Sequence, residues 1–319
     1  GTAANSYAQI GMGALGGSGH VTGVSAISVR VIADGDVIMT GGNGNNRSVH
    51  IGHGGAGHDG NIVNGGVEVV GESVTLTAGP GIAAFAQIGS GAGRTQGSNY
   101  TWGAIDGDVI VVARTGDISV TGSADRSYAQ IGHGGAFFNE ERDAASYPSG
   151  LLSGNVYAVA QNGSLSLAGG AGPNAYAMIG HGADKTSSDT REGGIHIFAD
   201  GTITAIDGTG SNSGARLTHQ SGAELAAADY LGGNGYQLLS NGGGSYSDGS
   251  VAGVGVMANA NFGNGPVAFA FSNAIDITIE GGPQVNANHS DNLVMLTGGN
   301  LTLNRGYQNA GDGDIVLVA

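Results

Sequence analysis

Cysteine is absent from this chain of 319 residues, which excludes a disulfide framework, a zinc–thiolate site and a cysteine nucleophile. Basic residues are scarce: Lys and Arg total 10 against 25 Asp and Glu, and Lys185 is the single lysine. A net charge of -15 argues against nucleic acid and anionic membrane surfaces as partners, because both need basic patches. Proline occurs five times and the glycines do not fall at every third position, which excludes a collagen helix. No apolar run approaches the roughly 18 residues of a membrane-spanning helix, so no membrane insertion is expected. The chain is not poor in core-forming residues, however. It is 40% hydrophobic, and its Val, Ile and Leu alternate with polar residues as strands do, which argues against disorder. It opens Gly1-Thr2 without Met, a basic segment or an apolar one, and both ends (6–10 and 314–319) read as strands. The text therefore reads as a mature piece or fragment of a longer chain.

Glycine is what the chain has in excess: 65 residues, against roughly 7% in an average protein. Much of it sits in a repeated segment. Tyr7-Ala8-Gln9-Ile10-Gly11-Met12-Gly13 recurs as Ser48-Val49-His50-Ile51-Gly52-His53-Gly54 and as Phe85-Ala86-Gln87-Ile88-Gly89-Ser90-Gly91. It returns as Tyr128-Ala129-Gln130-Ile131-Gly132-His133-Gly134 and Tyr176-Ala177-Met178-Ile179-Gly180-His181-Gly182. A degenerate copy is Gly214-Ala215-Arg216-Leu217-Thr218-His219. Two strand-like pieces precede most copies, as at 108–113 and 117–122 ahead of Tyr128. Short Gly-Asp, Gly-Asn or Gly-Thr turns separate them. The variable text follows each signature, at 56–66, 92–107, 136–154, 183–194 and 222–250.

Three strands per unit with tight turns describe one coil of a parallel β-helix, stacked at about 4.8 Å. The fold class expected is thus all-β: a right-handed β-solenoid of about seven coils of three short strands, with variable loops inserted at one corner. The usual hand of parallel crossovers sets the handedness. Residues 1–250 read as regular coils with inserts and 251–319 as a less regular continuation in the same domain. Alternation places Ala8, Val49, Ala86, Ala129, Ala177 and Ile10, Ile51, Ile88, Ile131, Ile179, Leu217 inside. It places Tyr7, Phe85, Tyr128, Tyr176 and Gln9, His50, Gln87, Gln130 outside. Turns of helix are expected only in the inserts, at 223–231 and 139–145.

The candidate sites follow from this stacking. His53, His133, His181 and His219 end the signature, with Met12 and Ser90 in two copies. Stacked, they form a ladder whose adjacent imidazoles have the donor type and spacing of a transition-metal site. The competing reading is neutral, hydrogen-bonded turn histidines, and it is preferred. In that case acid loosens the corner through repulsion between neighbouring imidazolium groups. Gly54-Gly55-Ala56-Gly57-His58-Asp59 matches the start of a calcium-binding nonapeptide, and the 41–46 and 169–174 segments are related to it. Such a site needs consecutive repeats, whereas these stand one per coil, so no cofactor is expected beyond adventitious Ca²⁺ on an acidic surface. Glu140-Glu141-Arg142-Asp143 is the densest charge cluster and reads as a solvated loop. No shared carboxylate pair or nucleophile motif supports an enzyme. The Thr75-Leu76-Thr77 and Thr202-Ile203-Thr204 pairs raise ice binding, but 38–40 and 165–167 break the array.

The Tyr-Ala-Gln-Ile-Gly-His-Gly-Gly text resembles the repeat body of filamentous-haemagglutinin-like bacterial surface exoproteins of the two-partner-secretion type, over about residues 5–220. The resemblance implies a β-helix shaft, secretion to an extracellular or bacterial cell-surface location, and adhesion or surface structure. It carries no catalytic residue. The leading expectation is a structural shaft of an adhesin or fibre, not an enzyme, with itself as partner through end-to-end stacking or a longer parent chain. The alternative is a glycan- or cell-binding module whose inserts stack Tyr100, Trp102 and Tyr147 on sugar rings. A polysaccharide-active β-helix enzyme is third, and it requires two carboxylates about 5–10 Å apart in a groove.

Overall fold

The computed structural model describes residues 7–12, 22–25, 28–54, 59–63, 65–91, 102–135, 151–182, 190–193, 195–206, 208–211 and 213–217. Beyond these it describes the strand segments 236–240, 243–247, 256–257, 267–271, 277–279, 285–287, 293–297, 301–303, 307–309 and 315–318. Every regular element among the described residues is a strand. The pairings within each sheet are parallel, including those of Ala129–Ile131, Val109–Ala113 and Ile118–Thr121 with both of their neighbours. The expected helical turns at 223–231 and 139–145 lie outside the described residues.

Three main sheets run along the stack. The signature sheet has six strands, from Ala8–Ile10 through Val49–Ile51, Ala86–Ile88, Ala129–Ile131 and Ala177–Ile179 to Ala215–Leu217. The long sheet has nine, beginning at Val29–Ile32 and ending at Ile315–Val318. A third sheet of six strands, from Val37–Thr40 to Gly243–Ser247, lies between them along the chain. This is a parallel β-solenoid. Nine rungs on one sheet span roughly 38 Å at the inter-strand spacing. The long sheet passes residue 250 through Val267–Phe271, Leu293–Thr297 and Ile315–Val318. Two smaller parallel sheets, of three and two strands, accompany it there.

The structure adds a strand that periodicity does not reveal. Four of the inserts, and the segment after the first signature, carry a short strand, and these pair as an insert sheet of Thr22–Ser25, Asp59–Val63, Trp102–Asp106, Leu151–Ser153 and Thr190–Glu192. Only Gly107 and Asp108 separate Trp102–Asp106 from the long-sheet strand Val109–Ala113. Its register shifts between Trp102 and Ile105, so its alternation is not clean in sequence.

One core fills the space between the three main sheets. Ile51, Ile88, Ile131 and Ile179 meet Val69, Val111 and Ile197 of the long sheet and Leu76, Val120 and Leu167 of the third. The register stacks like on like: Ala129 pairs with Ala86 and Ala177, and Ile131 with Ile88 and Ile179. From Val49 to Ala177 and from Ile51 to Ile179 the inner ladders are those expected, whereas on the first rung Ala8 and Ile10 are exposed, Ile10 at 52%. The outer ladders are not those expected. Phe85, Tyr128, Tyr176, His50, Gln87 and Gln130 are all buried, Tyr176 at 0% exposure, and only Tyr7 on the first rung is open at 44%. The cause is the Gly-x-Gly tail after each isoleucine. It folds over the second face of the sheet and turns its carbonyls onto the glutamine row.

The outward positions of the third sheet do not form a regular threonine array. Thr75 with Thr77 and Ser119 with Thr121 are hydroxyl pairs on adjacent rungs. Ile38, Ala168 and Ile206 interrupt the two columns on either side. The turns back to the signature sheet share one left-handed position, filled by Asn46, Ala83, Arg126 and Asn174 at φ 55–57°. This accounts for the asparagines of the 41–46 and 169–174 segments as turn chemistry.

Candidate functional site

Among the described residues, the densest buried polar structure lies on the second face of the signature sheet. Two columns build it, one of glutamine with tyrosine and one of histidine. Their side chains reach it because strand alternation turns Gln130 away from the Ala129–Ile131 core face, and because the glycine tail carries His133 round the corner.

Each glutamine knits two coils. Gln87 Nε2 donates to the carbonyl oxygens of Gly91 (2.9 Å) and Gly132 (3.1 Å) and to that of Gly134. Gln130 Nε2 donates to His133 O at 3.2 Å and to Gly180 O and Gly182 O, each at 3.1 Å. The next coil's tyrosine satisfies the amide oxygen: Tyr128 Oη donates to Gln87 Oε1 at 3.0 Å and Tyr176 Oη to Gln130 Oε1 at 3.4 Å. The rings also stack face to face, with Phe85, Tyr128 and Tyr176 at successive centroid distances of 5.0 Å. The Arg216 guanidinium lies 5.0 Å from the Tyr176 centroid, a cation–π contact that continues the column.

The exceptions obey the same chemistry. Where His50 replaces glutamine, its Nε2 bonds Gly89 O at 2.6 Å and its buried Nδ1 has no partner. The aromatic residue of the next coil is then Phe85, which has no hydroxyl to give. Gln9 is followed by Ser48 instead of tyrosine, and Gln9 Oε1 is likewise buried without a partner. This pairing of Gln with a following Tyr is legible in the sequence once the register is known. Alternation alone misses it, because it assigns both columns to solvent.

The histidines act as clasps. His133 Nδ1 accepts the backbone N–H of Ser90 at 2.9 Å, and its Nε2 meets Gly107 O at 2.6 Å. His181 Nδ1 accepts the N–H of His133 at 3.0 Å, and its Nε2 meets Gly154 O at 2.8 Å. His53 Nδ1 accepts from Met12 N at 3.2 Å. An amide N–H only donates and a carbonyl only accepts, so the Nε2–H tautomer of His133 and His181 is dictated by the backbone. Ser90 performs the same task with a hydroxyl, donating to Gly65 O at 3.0 Å and accepting from His53 N at 3.2 Å. The His133 and His181 rings stack at 4.8 Å and 9°, the adjacency expected for neighbouring rungs.

These bonds decide what the ladder can do. Both nitrogens of His133 and of His181 are committed to backbone, which leaves neither ring a lone pair for a metal. Among the described residues no group of three His, Asp or Glu side chains converges. Burial lowers the His133 imidazole from 6.5 to about 4, with the Gly107 bond, Asp106 and Asp108 pulling the other way. Burial likewise lowers His50 to about 4, against its bond to Gly89 O. Neutral, buried, hydrogen-bonded histidine is the chemistry of this corner.

Of the other candidates, Tyr100, Tyr147, His219 and the Glu140-Glu141-Arg142-Asp143 cluster lie outside the described residues, as does most of the 54–59 motif. Trp102 opens a strand of the insert sheet that pairs with Gly60. Compared with family models, curated proteins and solved structures, the chain matches none.

Proposed function

We propose that the chain is a structural shaft of a bacterial adhesin or surface fibre, acting outside the cell by rigid stacking of coils and by presenting its inserts along one edge. The observation that supports this best is the axial continuity of the signature sheet. Its six strands are joined by backbone ladders, by core isoleucines and by a second buried ladder of Gln, Tyr and His. A rod fastened on both faces of one sheet resists bending and unzipping, which suits a spacer better than a hinge. Repeat arrays bury their hydrophobic faces only against neighbours, so length and stiffness are the properties the architecture delivers.

The adhesin assignment and the extracellular location draw on the resemblance of the signature text to filamentous-haemagglutinin-like exoproteins. The test is negative-stain electron microscopy of the undenatured protein as isolated from its source. Long uniform fibres are the expected result for coils that stack on one another or continue in a parent chain. Short separate rods that bind a glycan would overturn the shaft reading in favour of a binding module. The position of Trp102 at the base of an insert motivates that second reading. A glycan array with the native protein and Trp102→Ala tests it, since loss of a bound glycan on substitution would place recognition on the inserts.

A further inference from the structure

We propose that the histidine column is an acid-sensitive clasp that locks the signature sheet to the corner between the insert sheet and the long sheet, and that mild acid releases it. The geometry carries this. His133 is the last side chain of its coil to touch the corner where that coil began, at Gly107. His181 closes the next coil on Gly154 in the same way. Each clasp therefore joins the end of one insert strand to the start of the next insert, across two described elements.

The clasp works only with a neutral ring. Nδ1 must accept an amide N–H from the coil before it. A proton on Nδ1 would set two donors against each other in a dry site, and the ring would have to leave. The charged and titratable groups facing His133 divide into two sets. Asp106 and Asp108 stand at its own corner and favour the charged ring, while His50 and the stacked His181 oppose it. Those carboxylates cannot hold the imidazolium in place, because its Nδ1 faces an N–H and not an oxygen. They are well placed to receive it once the corner opens. In the following coil the same register positions are Ser153 and Asn155, so His133 has carboxylates beside it for an open state and His181 has only neutral side chains there.

The rung at Ser90 is the internal control. It makes the same two contacts through a hydroxyl that does not titrate. A clasp built of serine would hold equally at any pH, so the titratable version adds a response to acid.

Hydrogen exchange of the intact protein, corrected for intrinsic rates, tests the proposal. The probes are the amides of Ser90 and His133, which the rings accept, with the Ile131 amide as core reference. An opened ring with its ordinary value of 6.5 against about 4 in the clasp makes opening of the Ser90 amide roughly thirty-fold more frequent at about pH 5 than at about pH 8. The Ile131 amide should change little. In the variant carrying His133→Ser and His181→Ser the corner should be flat with pH. Equal acid opening in native and variant protein would overturn the proposal, as would a native corner that stays closed. Should the variant not fold, ring ¹⁵N shifts of the native protein decide the matter. The expected result is Nε2–H rings at neutral pH that titrate together with loss of amide protection. Rings that titrate near 6.5 with protection intact would refute the clasp.

Discussion

The two faces of the signature sheet are both dry, yet different physics holds them. The inner face is Ala and Ile, packed into a core shared with two other sheets. It needs only volume and shape, and its residues are nearly invariant from rung to rung. The outer face is Gln, Tyr and His, and each side chain needs a particular partner one coil away. There the residues vary, but in matched pairs: Gln87 with Tyr128, Gln130 with Tyr176, His50 with Phe85. Hydrophobic burial is non-directional and tolerates any good fit, whereas a buried polar network is stabilising only when every member is satisfied. The comparison teaches that identity along one ladder and covariation along the other are two signatures of one buried sheet.

The hardest way to break both faces at once is through the glycine between them. Gly132 has φ +145°, and a Cβ added there runs into the Gly180 carbonyl oxygen. Gly132→Ala should cost more than about 4 kcal/mol and yield insoluble or uncooperatively melting protein; a normal melting curve would show that rungs can part there. Next come the faces taken singly. Ile131→Ala should cost about 2–5 kcal/mol by leaving a cavity. Gln130→Leu keeps the volume but strips three carbonyls of their donor, at about 1–3 kcal/mol for each buried group left unpaired. Denaturant titration compares the two, and a neutral Gln130→Leu would mean that the outer face contributes only packing.

Acid separates the faces without a mutation. His50 and His133 fold with values of about 4, below the unfolded 6.5. Their contribution is complete above about pH 6.5 and is lost as pH falls from there through about 4, at a few kcal/mol in total. Melting temperature should therefore be flat from about pH 8 to 7 and decline below about 6. Loss of amide protection should begin on the histidine side while the isoleucine side holds.

Two smaller changes sharpen the contrast. Combining His50→Gln with Phe85→Tyr installs the pair seen in the later coils. It should gain about 1 kcal/mol beyond the sum of the single substitutions, measured as a double-mutant cycle; additive effects would deny that the pairing is the rule. Last, Ala83 occupies the left-handed turn position that Asn46 and Asn174 fill in other coils. Ala83→Asn should raise stability by a few tenths to about 1 kcal/mol, readable as a small rise in melting temperature.

Much of the architecture was legible in the residues alone. Alternation of period two, glycine punctuation and five recurrences of one segment determine parallel strands, their stacking and the register of the Ala and Ile columns, because burial of one face permits no slip. The insert strands were not legible, since Trp102–Asp106 is short, shifted in register and embedded in variable text. The fate of the Tyr, Gln and His columns was also undecided. Polar side chains opposite a hydrophobic face read as solvent-exposed, and that reading holds when nothing crosses the far side of the strand. Here the glycine tail does cross it, and only the folded chain shows those carbonyls arriving within hydrogen-bond reach of Gln87 and Gln130. The sequence by itself determined a stack of coils with a histidine at most of the corners, Met12 and Ser90 standing at two. Tertiary structure decided that His133 and His181 spend both ring nitrogens on backbone, because the direction of two backbone groups, and not the identity of the side chain, sets where an imidazole keeps its proton.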